Sequence, residues 1–145
     1  MIERMTAALV PQAAALAGQL WPSHAAGALE AELSELLQDR DAAVFLFWQE
    51  ACAVGFAQCQ LRRDYVEGTR TSPVGYLEGV FVAPPYRRRG LAAQLLTACE
   101  DWARAQGCRE FASDCALDNA ASQGFHRAAG FAEVARIVCF TKPLS

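Results

Sequence analysis

Two kinds of chemically capable residue meet near the middle of this chain. Arg87, Arg88, Arg89 and Gly90 stand between an apolar run, Y-L-E-G-V-F-V at 76–82, and a long helical pattern. Three guanidinium groups, a glycine that admits close backbone approach and the positive end of a helix dipole together suit an anionic phosphate. Glu78, inside the apolar run, supplies a carboxylate that can take up a proton or hold a cation. The stretch reads as a diphosphate cradle beside a candidate catalytic carboxylate.

The rest of the composition limits what those groups serve. With 145 residues, 53% hydrophobic and 20% charged, the chain is expected to be one domain, 1–145, with one core. No run approaches the ~20 apolar residues of a membrane span, and the start M-I-E-R-M-T carries no long apolar signal region, so a cytoplasmic protein without membrane attachment is expected. The six cysteines show no C-x-x-C pair or histidine at ligand spacing, which points to free, mostly buried thiols and no metal. A net charge of −3 disfavours nucleic acid as a partner. Basic residues gathered at one spot on an acidic protein suggest two ligands of opposite sign, an anionic cofactor and a cationic substrate.

The elements that must position these groups follow from periodicity. Residues 2–5 are read as a first strand, 10–20 as a helix with Pro11 in its first turn, and 28–38 as a second helix with Leu29, Leu33, Leu36 and Leu37 on one side. The runs 43–49 and 52–62 form a hairpin, and 64–75 is a loop rich in glycine, serine and proline. After the strand at 76–82, a helix over 90–105 carries Leu91, Leu95, Cys99 and Trp102 on one face, and a fifth strand follows at 109–114. Asn119 is placed as the N-cap of a last helix closed by Gly130, and 131–142 as a strand with a bend or hairpin. Strand-helix-strand connection makes 76–82 and 109–114 parallel, with the cofactor near their carboxyl ends. Strict alternation would put Glu78 on the same face as Tyr76, Val80 and Val82.

The turn Arg87-Arg88-Arg89-Gly90-Leu91-Ala92 fits the signature Q/R-x-x-G-x-G/A, and Asn119 with H-R-A-A-G-F at 126–131 follows in matching order. On these residues the chain resembles the GCN5-related N-acetyltransferase (GNAT) superfamily. A narrower resemblance, to bacterial aminoglycoside 6′-N-acetyltransferases, rests on L-W-P-S-H at 20–24, L-R-R-D-Y-V-E-G at 61–68, S-P-V at 72–74, G-C-R-E-F-A-S-D at 107–114 and the set Trp21, Tyr65, Glu78 and Asp114.

The resemblance implies a mixed α/β fold: a mostly antiparallel central sheet, one parallel strand pair splayed at the acetyl-CoA site, and about four flanking helices. It implies acetyl transfer from acetyl-CoA to an aminoglycoside amine by direct attack, conferring antibiotic resistance, in a homodimer joined through C-terminal strands. Val80, Phe81 and Val82 would hold the pantetheine arm. Arg87, Arg88, Arg89, Gly90, Leu91, Ala92 and Ala93 would hold the diphosphate, and Asn119 and His126 would contact the cofactor farther along. Glu78 and Asp114 are the candidates for holding the amine and taking its proton. His126, where many members carry a tyrosine, is the candidate acid for the leaving thiolate. Trp21 and Tyr65 would contact the drug. An acid found in this group at the position of Ala135 is missing, with Glu133, Glu67 and Asp64 nearby in sequence. Each residue also has an ordinary reading, as a core aromatic, a solvated charge or a helix histidine. Two other functions stay open: acetylation of a polyamine, another small amine or a protein terminus, and a non-catalytic acetyl-CoA or drug-binding module.

Overall fold

Alternating and continuous apolar runs build a five-stranded sheet, and helical periodicity supplies a layer for each of its faces. The computed structural model describes residues 1–145, the side chain of Ala26 excepted. In chain order the elements are β1 (Ile2–Arg4), α1 (Val10–Leu20), α2 (Ala26–Leu36), β2 (Ala42–Gln49), β3 (Cys52–Arg62), β4 (Val74–Val82), α3 (Leu91–Ala105), β5 (Phe111–Ser113) and α4 (Ala120–Ala128). The sheet order is β1-β2-β3-β4-β5, antiparallel up to β4 and parallel between β4 and β5. The mixed α/β architecture expected from the sequence is the one observed.

One face of the sheet is covered by α3, whose Leu91, Leu95, Cys99 and Trp102 pack on Val54, Ala57, Cys59, Leu77 and Val82. The other face is covered by α1 and α2, with Ala13, Leu16, Leu29 and Leu33 against Val44, Leu46 and Phe56. The α3 layer lies close to the strands: a Cβ on Gly55 would fall 3.1 Å from Leu95 Cδ1 and 3.2 Å from the Phe81 carbonyl. Helix α2 begins two residues before the expected start at Ala28 and stops at Leu36 rather than Gln38. Its end tightens, with the amides of Leu37, Gln38 and Asp39 donating to carbonyls three residues back.

Two expectations fail at the C-terminal end. Strand β5 covers Phe111–Ser113, not 109–114, and 131–142 contains no strand. The run is β-prone, yet Ile137, Val138 and Phe140 are 76%, 78% and 89% exposed, and a strand needs a ladder partner that one chain does not place beside it. The segment keeps local contacts: Phe131 meets the His126 ring at 5.1 Å, and Val134 lies against Gly68.

Candidate active site

The site begins at a bulge in β4. Gln58 pairs with Gly79 and Cys59 with Leu77, which leaves Glu78 as the extra residue without a partner on β3. A bulge reverses the alternation beyond it. The expectation that Glu78 shares a face with Tyr76, Val80 and Val82 is therefore corrected in part: Glu78 and Tyr76 are bridged by Arg62 on one side, with Tyr76 packed on Val66 and Val74, whereas Val80 and Val82 join the α3 core on the other.

The same reversal decides where the backbone amides point. The Ala83 amide donates to the Val54 carbonyl of β3 at 2.8 Å, so by alternation the amides of Val82 and Val80 turn to the opposite edge. On that edge β5 pairs only with Gly75, Tyr76 and Leu77. The two parallel strands have parted before Val80, leaving a slot flanked by main-chain donors.

At the far end of β4 the chain turns into α3. Arg88 (φ 65°) and Gly90 (φ 78°) both adopt the left-handed conformation around Arg89, and Gly90 caps the helix. The amide of Gln94 is bonded to the Gly90 carbonyl, whereas those of Leu91, Ala92 and Ala93 precede the first helical bond and no side chain caps them. Arg87 folds back, its Nε donating to the Val82 carbonyl at 2.7 Å and its guanidinium lying 5.3 Å from the Phe81 ring centre. Arg88 and Arg89 make no ion pair among the described residues. Arg87 is thus tied back to the end of β4, and the Arg89 guanidinium lies 5.7 Å from the Tyr86 ring centre.

Helix α4 is capped by Asn119, whose Oδ1 accepts from the Ser122 amide at 3.0 Å. It brings His126 under the strand fork. His126 Nδ1 lies 2.6 Å from the Ser122 carbonyl and Nε2 lies 2.8 Å from Ser113 Oγ, which in turn donates to the Leu77 carbonyl at 3.2 Å. A carbonyl only accepts, so the Nδ1 position carries a proton. Both ring nitrogens are engaged, and Ser113 ties β5 to β4 at their last shared pair.

On the α1/α2 side of the bulge the candidate acids are already partnered. Arg62 Nη2 bonds Glu78 Oε1 at 2.7 Å and Oε2 at 2.9 Å, and its guanidinium carbon sits 3.4 Å from the Tyr76 ring centre. The Tyr76 hydroxyl donates to Asp114 Oδ2. Burial first, and then this bond to Asp114, push the Tyr76 phenol well above its ordinary pKa, so it stays a donor across the neutral range. Glu78, Arg62, Tyr76 and Asp114 form one continuous chain of contacts.

Trp21 reaches the bulge from the end of α1. A Cβ on Gly79 would fall 2.6 Å from its Cζ2, so glycine is what lets the indole seat against β4. The indole also packs edge-on to Phe56 at 5.9 Å and lies 6.3 Å from the exposed His24 ring. An open groove of about 370 Å³ continues from Trp21 between α2 and β3, lined also by Glu32, Glu35, Asp39, Gln58 and Gln60. Tyr65 stands apart, its ring 75% exposed and its hydroxyl accepting from the Gly68 amide at 3.3 Å. Its loop is anchored by Glu110 Oε1, which accepts from the amides of Arg70 (2.9 Å) and Thr71 (2.8 Å) and from the Thr71 hydroxyl. These bonds, the Thr71 hydroxyl's first, hold the Glu110 carboxyl below its ordinary pKa.

Sequence reasoning found Glu78, Asp114, Trp21 and His126 but passed over Arg62, Tyr76, Ser113 and Gly79. A signal for one of them was present: Gln58, Gln60 and Arg62 alternate along the strand that neighbours Glu78. Among the described residues no group of three or more His, Cys, Asp or Glu is arranged to hold a metal. Cys59, Cys99 and Cys108 are buried free thiols, whereas Cys52 and Cys139 are exposed and Cys115 is half-buried.

A parallel strand pair that parts beside a bulge, with a basic turn and an uncapped helix start beyond it, is the architecture of acyl-CoA-dependent transferases. Residues 12–131 match the acetyltransferase (GNAT) family, and the chain belongs to it. The aminoglycoside N(6')-acetyltransferase type 1 of Salmonella typhimurium is 44% identical over 124 residues, 86% of each chain. The protein of the same name from Stenotrophomonas maltophilia is 47% identical over 130 residues, covering 86% of this chain and 81% of its own. Among solved structures, AAC(6')-Iy in complex with the bisubstrate analogue CoA-S-monomethyl-acetylneamine superposes with a TM-score of 0.95 at 40% identity, over 99% of this chain and 97% of that one.

Proposed function

We propose that this enzyme is an aminoglycoside 6′-N-acetyltransferase that moves the acetyl group of acetyl-CoA onto a primary amine of the drug. The observation that carries the reading is one juxtaposition: a chain of acidic and aromatic groups runs from the β4 bulge to Asp114 at the end of β5, beside the slot where the two strands part and which ends in a cationic, amide-rich turn. Relatives 40–47% identical over most of the chain are named for this activity, and AAC(6')-Iy is solved with an analogue that joins the two substrates.

The geometry supports the following roles. The amides of Val80 and Val82, with Phe81 between them, would pair with the pantetheine arm as an added strand and polarise the thioester carbonyl. The amides of Leu91, Ala92 and Ala93, with Gly90, Arg88 and Arg89, would take the diphosphate, while Arg87 braces the end of β4. Asn119 and His126 line the α4 side of the slot. Acetyl-CoA supplies an activated acetyl group, and the amine attacks it directly, so proximity is the main catalytic contribution. An amine that is ammonium in solution loses a proton first, and Glu78 is the acceptor placed for it, with Asp114 holding the same cation. Trp21, Tyr65 and the acidic groove toward α2 suit the remaining rings and ammonium groups of a polycation.

No helix among the described residues is long and apolar enough to cross a membrane; we place the enzyme in the cytoplasm, where acetyl-CoA is made. We further infer a homodimer in which the exposed run Ile137-Val138-Cys139-Phe140 finds its ladder partner on a second copy. The deciding experiment is acetyl transfer across a panel of aminoglycosides with and without a free 6′-amine, a polyamine and a peptide amino terminus. Turnover confined to drugs with the 6′-amine, and raised drug tolerance in bacteria that is lost with Asp114→Ala, are the expected results. Preference for the polyamine or the peptide would overturn the substrate assignment.

A further inference from the structure

We propose that Arg62 is a guard of Glu78: its guanidinium occupies the place of the substrate's ammonium in the resting enzyme, every amine substrate must displace it, and a polycation has the affinity to spare. The proposal rests on the aminoglycoside reading above. Arg62 is the last residue of β3, and its side chain crosses the Tyr76 ring to put one nitrogen, Nη2, between both carboxylate oxygens of Glu78. The guanidinium is the more exposed partner, with a side-chain exposure of 45% against 16% for Glu78. A cation arriving from solvent therefore meets Arg62 before it meets the carboxylate.

Like charges at one carboxylate repel, so ammonium and guanidinium compete for Glu78. The competition is lopsided in a useful way. Arg62 is tethered and acts at an effective concentration on the order of millimolar, which a small monoamine held by one ion pair does not overcome at ordinary concentrations. Its own hold is that of a half-exposed ion pair with a stacking contact, weak enough for a multiply anchored ligand to break. A ligand that also contacts Asp114, Trp21 and the carboxylates of Glu32, Glu35 and Asp39 has those extra anchors. Arg62 thereby sets a threshold that several ammonium groups pass and one does not.

The test is steady-state kinetics of wild type, Arg62→Gln and Arg62→Lys with an aminoglycoside and with a small monoamine. For Arg62→Gln the expected result is a KM lower by about threefold to tenfold for the aminoglycoside and lower by the same factor for the monoamine, with kcat unchanged for both. Arg62→Lys, which keeps the charge but loses the planar stack, falls between. In a Glu78→Gln background the Arg62→Gln gain in drug binding, read by calorimetry, disappears. A raised KM or a lowered kcat in Arg62→Gln overturns the guard and makes Arg62 a permanent part of the site; unchanged values overturn it as well. Nitrogen NMR of the Arg62 side chain in wild type needs no variant: saturating drug should free the guanidinium's rotation, and a guanidinium still immobilised at saturation refutes displacement. Wild type that acetylates no aminoglycoside would sink the substrate reading, whereas turnover without the KM gain would sink only the guard.

Discussion

Gly79 is the position where the smallest change reaches the candidate drug site. An added Cβ would stand 2.6 Å from Trp21 Cζ2, 2.9 Å from Cη2 and 3.0 Å from Leu20 Cδ2. Ordinary carbon contacts lie at roughly 3.5–4.0 Å, so the indole must retreat by about 1 Å. It has little room to do so, since it is packed edge-on against Phe56. Gly79 borders the bulge but has no positive φ, so the penalty for alanine is overpacking, about 1–3 kcal/mol. That corresponds to a loss of roughly 3–12 °C in Tm for a domain of this size. If Trp21 stacks on the drug, a 1 Å displacement lowers kcat/KM for the aminoglycoside by up to about 100-fold. The KM for acetyl-CoA should change less, because the clash falls on the Trp21 face of β4, whereas the proposed cofactor contacts are the Val80 and Val82 amides, which turn to the edge of the sheet, and the helix start at Gly90. Thermal melts and two-substrate kinetics of Gly79→Ala measure both effects. Trp21→Ala removes the clash, so in that background Gly79→Ala should cost no further stability, a non-additive cycle. Gly79→Ala with wild-type Tm and wild-type drug KM would refute the seating of Trp21 by Gly79.

Three further outcomes are expected. Glu110 is held below its ordinary pKa, so its anchoring of Arg70 and Thr71 is complete above the unfolded carboxylate's pKa and lost as pH falls through the lower folded value; the hydrogen-exchange protection factors of the two amides should fall in acid, and should fall at neutral pH in Glu110→Gln. Leu95, fully buried between α3 and the sheet, should cost about 2–5 kcal/mol as Leu95→Ala in urea unfolding. Ser113→Ala strands the Leu77 carbonyl and His126 Nε2, which should cost about 1–3 kcal/mol and raise the KM for acetyl-CoA more than that for the drug.

Most of the fold was legible because its elements carry their own period. Leu91, Leu95, Cys99 and Trp102 mark α3 without help from any neighbour, and Asn119 marks the start of α4. The run at 131–142 misled because β-propensity describes fitness for a sheet and does not supply the adjoining strand. Within the site, Glu78, Asp114 and Trp21 were legible as residue types in a known order. Their partners were not: that Arg62 covers Glu78 depends on a side chain crossing Tyr76, and that Ser113 meets His126 depends on α4 folding back beneath β5.

The bulge at Glu78 was the least legible feature and has the widest consequences. One extra residue in β4 removes Glu78 from the β3 ladder while its carboxylate stays on the Tyr76 side, held by Arg62. Past it, reversed parity sends the amides of Val80 and Val82 to the edge from which β5 has departed, and gives Gly79 to the Trp21 face. An acyl transfer by direct attack needs the amine and the thioester carbon held within about 3–3.5 Å of each other. A regular strand repeats one pattern of faces along its whole length and offers the same arrangement before and after every residue. The bulge breaks that repeat at the junction, so three residues of β4, Glu78 to Val80, present an acid, a seat for an aromatic ring and a free backbone donor in succession.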